Sequence, residues 1–299
     1  ATGDIDADGG TEHLLKTPAL TLLAHAHDGG ALTEISLPRR GVALGHVLTR
    51  RVEGYHEKLK ARAGGAFDGS TSIHDVLLLK DPSVLSALAV DPWQRASFRE
   101  AVYGAEVPAE GILDESVPPL CATAGRAARS EVTRRGTKVV LAQEVPLSWS
   151  GADLSLEKVL QAEAGEEGFQ VKYRVANRGR ETVSARFATE WNLNFLSGRG
   201  PDRRYEGIGG KVEDLSSRGA TPGLREFRVV DGWRRIAVGV TSDREFTLLR
   251  YPIETASLSE AGAEKIHQGV CLRLLFTILL KPGDYEYYSL VWAVKSVAP

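Results

Sequence analysis

Methionine is missing altogether from this 299-residue chain. A complete translation product begins with one, so the sequence reads as a trimmed or processed piece of something longer. Cysteine is nearly as scarce, with only Cys121 and Cys271. Two so widely separated residues make neither a disulfide framework nor a CxxC redox or zinc motif, and they read as small buried hydrophobes. An excess of one charge sign is lacking too, since 37 Lys and Arg meet 39 Asp and Glu for a net charge of −2. That leaves no electrostatic case for nucleic acid or an anionic membrane as partner. Long apolar runs are absent: the stretch Cys271–Leu280 is interrupted by Arg273 and is too short to span a bilayer. No charged-then-apolar leader pattern opens the chain, so a cytoplasmic location is expected. Serine-nucleophile, phosphate-loop and dinucleotide patterns are missing as well. Gly207-Ile208-Gly209-Gly210 has neither the lysine nor the strand–turn–helix setting that phosphate binding needs.

What is present is a soluble globular composition, 42% hydrophobic and 25% charged, written mostly in strand patterns. Phe169, Val171, Tyr173 and Val175 alternate with Gln170, Lys172 and Arg174, the period-two pattern of a strand with one buried and one wet face. Asn177-Arg178-Gly179 supplies turn chemistry. A second alternation puts Val183, Ala185, Phe187, Trp191, Leu193 and Phe195 on one side and Arg186, Glu190, Asn192 and Asn194 on a polar working face. Leu20–Ala26, Asp28-Gly29-Gly30 and Ala31–Leu37 read as a hairpin. Further strands are expected at Val76–Lys80, Glu131–Arg135, Lys138–Pro146, Leu154–Ala162, Leu224–Val230, Arg235–Thr241, Phe246–Tyr251, Val270–Leu280 and Tyr285–Lys295. Only Arg51–Arg62 looks helical, with a short turn near Asp91–Phe98, and Asp81–Ala128 is the least regular segment. Many short strands with regular turns predict an all-β fold, a large two-sheet antiparallel sandwich with one short helix. Residues 1–12 form an acidic opening loop and 13–299 a single sandwich domain.

Four groups of residues invite a functional reading. Asp4, Asp6 and Asp8, with the Gly10 carbonyl and Glu12, offer oxygen ligands at alternating positions around a tight turn, which suits calcium. The full EF-hand pattern fails, because Leu15 stands where its last glutamate belongs. The alternative is a solvated acidic turn. Arg50, Arg51, Tyr55 and His56 lie along the helical stretch, and their spacing by itself favours an ordinary amphipathic surface helix over a site. His74 and Asp75 are neighbours on a strand edge and so point to opposite faces, a poor acid–base pair with each other. Asn192, Asn194, Asp202, Arg203, Arg204 and Tyr205 combine planar polar groups with an aromatic ring, a set that fits saccharides or merely caps strand ends. No pair of carboxylates is privileged as a glycosidase pair.

The segments LTRRVEGYHEKL (48–59), STSIHD (70–75), EWNLNFLSGRGPDRRY (190–205) and ETASLSEAGAEKIHQG (254–269), behind the opening DIDADGGTEHLL, occur in that order. Together they resemble the C-terminal β-sandwich domain of glycoside hydrolase family 57 enzymes, the α-amylases and 4-α-glucanotransferases. The resemblance runs from about residue 4 to residue 292. It implies a galactose-mutarotase-like sandwich and a catalytic barrel that this chain does not contain, since none of its seven histidines precedes Gln-Pro. No catalytic residue carries over. The implied role is a non-catalytic accessory domain that packs on the barrel of its parent chain and touches α-1,4-glucan or maltooligosaccharide. Arg50, His56, His74, Asp75, Glu190, Asn192, Asn194 and Arg203 are the candidates for that interface or sugar rim, and Asp4, Asp6, Asp8 and Glu12 for calcium. The competing readings are a free-standing mutarotase-like epimerase or glycosidase, using His74 or His267 with Glu190, and a carbohydrate-binding module.

Overall fold

The structure, a computed structural model, describes residues 1–63, 82–210, 212–259 and 262–298. Five short strands form a small antiparallel sheet in sequential order: β1 (Thr2–Gly3), β2 (Glu12–Lys16), β3 (Thr21–His25), β4 (Ala31–Leu37) and β5 (Val42–Ala43). The hairpin expected at Asp28-Gly29-Gly30 is there, joining β3 to β4. Gly29 and Gly30 sit at φ 64° and 73°, left-handed conformations that a side chain resists. A Cβ on Gly29 would also collide with the Thr123 carbonyl.

Helix α1 (His56–Ala63) follows, and then β6 (Arg99–Gly104), the short helix α2 (Ala109–Leu113) and β7 (Cys121–Ala122). The rest is strand: β8 (Arg129–Arg135), β9 (Lys138–Trp149), β10 (Ala152–Glu163), β11 (Gly168–Asn177), β12 (Val183–Leu193), β13 (Arg203–Glu206), β14 (Gly219–Asp231), β15 (Ile236–Ser259), β16 (Gly262–Leu280) and β17 (Tyr285–Ser296). One layer runs β8-β9-β10-β11-β17 into the first third of β15, and the other runs β7-β6-β12-β16 into its last half. All the pairings are antiparallel. The two layers meet face to face through aromatic side chains. Phe187 of β12 stacks on Tyr288 of β17 at 5.7 Å, Phe276 of β16 lies 4.6 Å from Tyr288, and Trp191 of β12 lies 5.9 Å from Phe169 of β11. The all-β sandwich read from the sequence is therefore the observed fold.

Four local expectations are revised. Arg235–Thr241 and Phe246–Tyr251 are not two strands but parts of the 24-residue β15, which passes from one layer to the other. The helix is shorter than Arg51–Arg62, because the Asp91 carboxylate binds the Arg50 N–H at 2.7 Å and the Asp91 N–H binds the Arg50 carbonyl at 3.0 Å. That bracing holds the chain extended ahead of α1. A second helix, α2, joins α1 inside the segment read as irregular, and β6 was hidden there because buried Arg99 and Glu100 interrupt its apolar pattern. The strand expected at Val76–Lys80 lies outside the described residues.

The polar face of β12 is not wet. Glu190 is 6% exposed and Asn192 0%. A second core covers that face, where Val47, Ile112 and Leu113 pack against Ala188, Tyr251 and Leu275. Sequence periodicity shows that a face is polar, and polar implies wet only when nothing longer in the chain folds back over it.

Candidate functional site

Under that second core lies a closed network of three arginines and three carboxylates. Glu190 on β12 stands directly opposite Arg273 on β16, and Asn192 opposite Cys271. Arg273 donates Nε to Glu190 Oε2 at 2.6 Å, Nη2 to Glu115 Oε1 at 2.7 Å and Nη1 to the Ile112 carbonyl at 3.0 Å. Arg95 donates to Asp91 Oδ1 at 2.5 Å and to the Tyr251 hydroxyl at 2.9 Å, and its Nη1 lies 3.4 Å from Glu190 Oε1. Arg50 completes the set through Asp91 Oδ1 at 2.6 Å and Glu115 Oε2 at 3.3 Å. Asn192 donates to Glu190 Oε1 at 2.8 Å and to the Ala96 carbonyl at 2.7 Å. Glu115 reaches the network from a left-handed backbone at φ 60°, a conformation costing a non-glycine residue about 1 kcal/mol and held only by its surroundings.

The electrostatics follow from this geometry. Burial alone would push the Glu190 carboxyl up, but Arg273 and Arg95 overcome it and hold it at about 2. Burial is likewise overcome at Asp91 by Arg95 and Arg50 and at Glu115 by Arg273 and Arg95, and both carboxyls lie below their ordinary values. Three cations and three anions cancel, and each carboxylate stays ionised at neutral pH. A general base must take a proton near working pH, and Glu190 is far from able to. The cavity beside it, bounded by Glu190, Arg273, Glu100 and Tyr103, measures about 10 Å³, room for about one water and not for a sugar ring. His267, the other half of the proposed acid–base pair, lies on β16 six residues from Arg273, roughly 20 Å at strand rise.

Arg50, Glu190 and Asn192 are thus brought together, and the other candidates are dispersed. His56 starts α1 and accepts the Glu53 N–H at Nδ1 over 3.3 Å. Asn194 is held through its backbone, to the Leu44 carbonyl and to Arg234. Arg203 on β13 binds Asp202 at 3.0 Å. His74 and Asp75 lie outside the described residues. Asp4, Asp6 and Asp8 gather at the opening turn, with their donor atoms within 4.8 Å of one another, and Glu12 is buried beneath them. The sequence reading missed Asp91, Arg95, Glu115, Tyr251 and Arg273. One signal was available: Arg273 is the single charge inside an apolar run, which in a central strand demands a buried counter-ion.

Open grooves lie elsewhere on the surface. One, about 600 Å³, runs past Arg51, Tyr55, Gln94, Thr255 and Gln268; another, about 570 Å³, past Leu196, Arg199, Glu254 and His267. Both include Ile266, Leu48 lines the first and Leu196 the second, and all three are exposed, as is Val52 next to Arg51 in the chain.

The fold defines the class first. A galactose mutarotase-like protein from Clostridium acetobutylicum superposes with a TM-score of 0.60 at 8% identity, covering 99% of this chain and 98% of that one; the class is the mutarotase-like β-sandwich. The chain belongs, more narrowly, to the family of α-amylase/4-α-glucanotransferase C-terminal domains, which it matches over residues 4–283. It is 30% identical over 282 residues to α-amylase 1 of Dictyoglomus thermophilum, covering 94% of this chain and 40% of that protein. The 4-α-glucanotransferase of Thermococcus litoralis superposes with a TM-score of 0.71 at 22% identity, over 98% of this chain and 39% of that one. The chain spans about two fifths of the length of these relatives.

Proposed function

We propose that this chain is a non-catalytic accessory domain of an α-glucan-processing enzyme of the α-amylase or 4-α-glucanotransferase type, packing on a catalytic barrel. The observation that carries the reading is the closed ion network. Its one carboxylate in a position to resemble a catalytic base, Glu190, is clamped at about 2 by two arginines beside a cavity too small for a sugar. The exposed apolar residues Leu48, Val52, Leu196 and Ile266 support the packing role, since apolar side chains gathered around grooves are what an excised interface leaves behind. Any contact with glucan belongs at the Arg51–Tyr55 groove, whose polar lining and partly exposed ring suit a sugar chain.

The test is a turnover assay on the pure chain. Maltopentaose should come back unchanged by chromatography, and polarimetry should show anomers equilibrating at the uncatalysed rate. Hydrolysis, transfer or anomer exchange that disappears in Glu190→Gln would overturn the proposal. Maltoheptaose titrated by calorimetry separates the glucan contact from the packing role, because a contact made in the groove weakens in Tyr55→Ala.

A further inference from the structure

The acidic opening turn is not a set of oxygen ligands alone. Two imidazoles stand against it, and the sequence pattern could not show them because they come from the far end of β3 and the turn beyond it. His25 Nδ1 lies 3.7 Å from Glu12 Oε1 and 3.9 Å from Asp6 Oδ2. His27 Nδ1 lies 3.4 Å from Glu12 Oε1, and its Nε2 lies 3.2 Å from Asp8 Oδ2. The donor atoms of Asp8, His25 and His27 fall within 4.8 Å of one another.

Glu12 makes this more than a cluster of acids. Its side chain is 0% exposed. Oε2 accepts the Ile5 N–H at 2.7 Å, but Oε1 is buried with no hydrogen-bond partner, and so is His27 Nδ1 facing it. A buried carboxylate oxygen without a partner costs several kcal/mol, and here it points at two ring nitrogens. Thr33 engages His25 Nε2 at 2.7 Å, the outer hydrogen bond by which a ligating histidine is held in orientation, and it leaves Nδ1 toward the carboxylates. Asp8 Oδ1 is taken by the Gly10 N–H at 2.7 Å, which leaves Oδ2 facing inward. Donor atoms around a tetrahedral zinc stand about 3.3 Å apart, and within the set Glu12 Oε1 lies 3.7 Å from His25 Nδ1 and Asp8 Oδ2 lies 3.2 Å from His27 Nε2. His27 gives an ion only one of its two nitrogens, and with Nε2 on the ion its Nδ1 is left facing Glu12 Oε1 at 3.4 Å. The side chains of Asp8 and His27 are part-exposed, at 46% and 38%, so an ion has a way in.

We propose that Asp8, Glu12, His25 and His27 form a divalent-cation site of mixed carboxylate and imidazole donors, which takes zinc in preference to calcium. Calcium binds oxygen ligands and gains nothing from imidazole, whereas zinc takes both. The oxygen-only set of Asp4, Asp6, Asp8 and Glu12 is the competing arrangement, and it selects the other ion.

Calorimetry on the chelator-stripped chain, with zinc chloride and calcium chloride separately, decides between them. The expected result is one zinc bound at least 100-fold more tightly than calcium. His25→Gln and His27→Gln should each weaken zinc at least tenfold while the metal-free melting temperature stays within about 2 °C. Cobalt(II) added to the stripped chain should give visible bands of a nitrogen-ligated centre, lost in His27→Gln. Calcium binding as tightly as zinc, zinc binding unchanged in the His25→Gln/His27→Gln double variant, or no binding of either ion would each overturn the proposal.

Discussion

Replacing Glu190 by glutamine keeps the size of the side chain and removes one charge from the buried network. Arg273 and Arg95 then face Asp91 and Glu115 with one positive charge uncompensated. Removing one partner of a buried pair costs about 3–5 kcal/mol. Linkage gives an independent figure. The Glu190 carboxyl moves from an ordinary value of 4.5 to about 2 on folding, which converts to about 3 kcal/mol of stability from its ionised form. Because the folded value is depressed, that contribution is complete above about pH 5.5 and is lost as pH falls toward 2. By pH 3.5 more than a third of it, roughly 1.4 kcal/mol, should be gone. Urea unfolding of the native chain and of Glu190→Gln, followed by tryptophan fluorescence at pH 7 and at pH 3.5, measures both quantities. The expected difference is about 3–5 kcal/mol at pH 7 and at least 1 kcal/mol less at pH 3.5. A difference under about 1 kcal/mol at pH 7, or one that does not change between the two pH values, would refute the account of Glu190 as a clamped anion.

Lys158 and Glu100 form a second buried pair, 2.8 Å apart and both 0% exposed. Burial pushes each toward its neutral form, the carboxyl up and the amine down. Lys158→Met alone should destabilise by about 3–5 kcal/mol, and Lys158→Met with Glu100→Gln by clearly less than that single change, measured by chemical unfolding. The thiols should be inert, since burial pushes Cys121 up to about 11 and Cys271 up to about 12. At pH 8 a disulfide reagent should label the folded chain at least about 100-fold more slowly than the chain in denaturant. Labelling of the native chain within seconds would contradict their burial.

The strands of this fold were legible wherever one face is apolar and the other polar, as in Phe169–Val175, because that alternation is a local consequence of the pleat. Local patterns failed where a distant segment decides. Nothing near Glu190 and Asn192 announces that Arg95 and Asp91, a hundred residues earlier, fold over them. Nothing near Asp4–Glu12 announces His25 and His27, which arrive through the pairing of β2 with β3. Arg235–Thr241 and Phe246–Tyr251 read as two strands because the polar residues between them interrupt the apolar pattern; in fact one strand continues through Asp243 and Arg244 while changing layers. Recognition of the family drew on a different signal, several weak segments in a fixed order, and that survives even where no single residue role can be read.

The path of β15 bears on how the molecule comes apart and how it is made. A strand shared by both layers ties them into one unit of unfolding, so neither sheet can open while the other persists. Beside it β17 holds a central position, between β11 and β15, although it is the latest in sequence of the described strands. Its partner β11 is complete more than a hundred residues sooner. During synthesis the layer built on β8–β11 must therefore wait with an open edge until β17 leaves the ribosome, at 5–20 residues per second roughly 5–25 s. Chaperone demand, and the point at which a nascent chain of this type is most prone to pair with a neighbour, should concentrate in that interval.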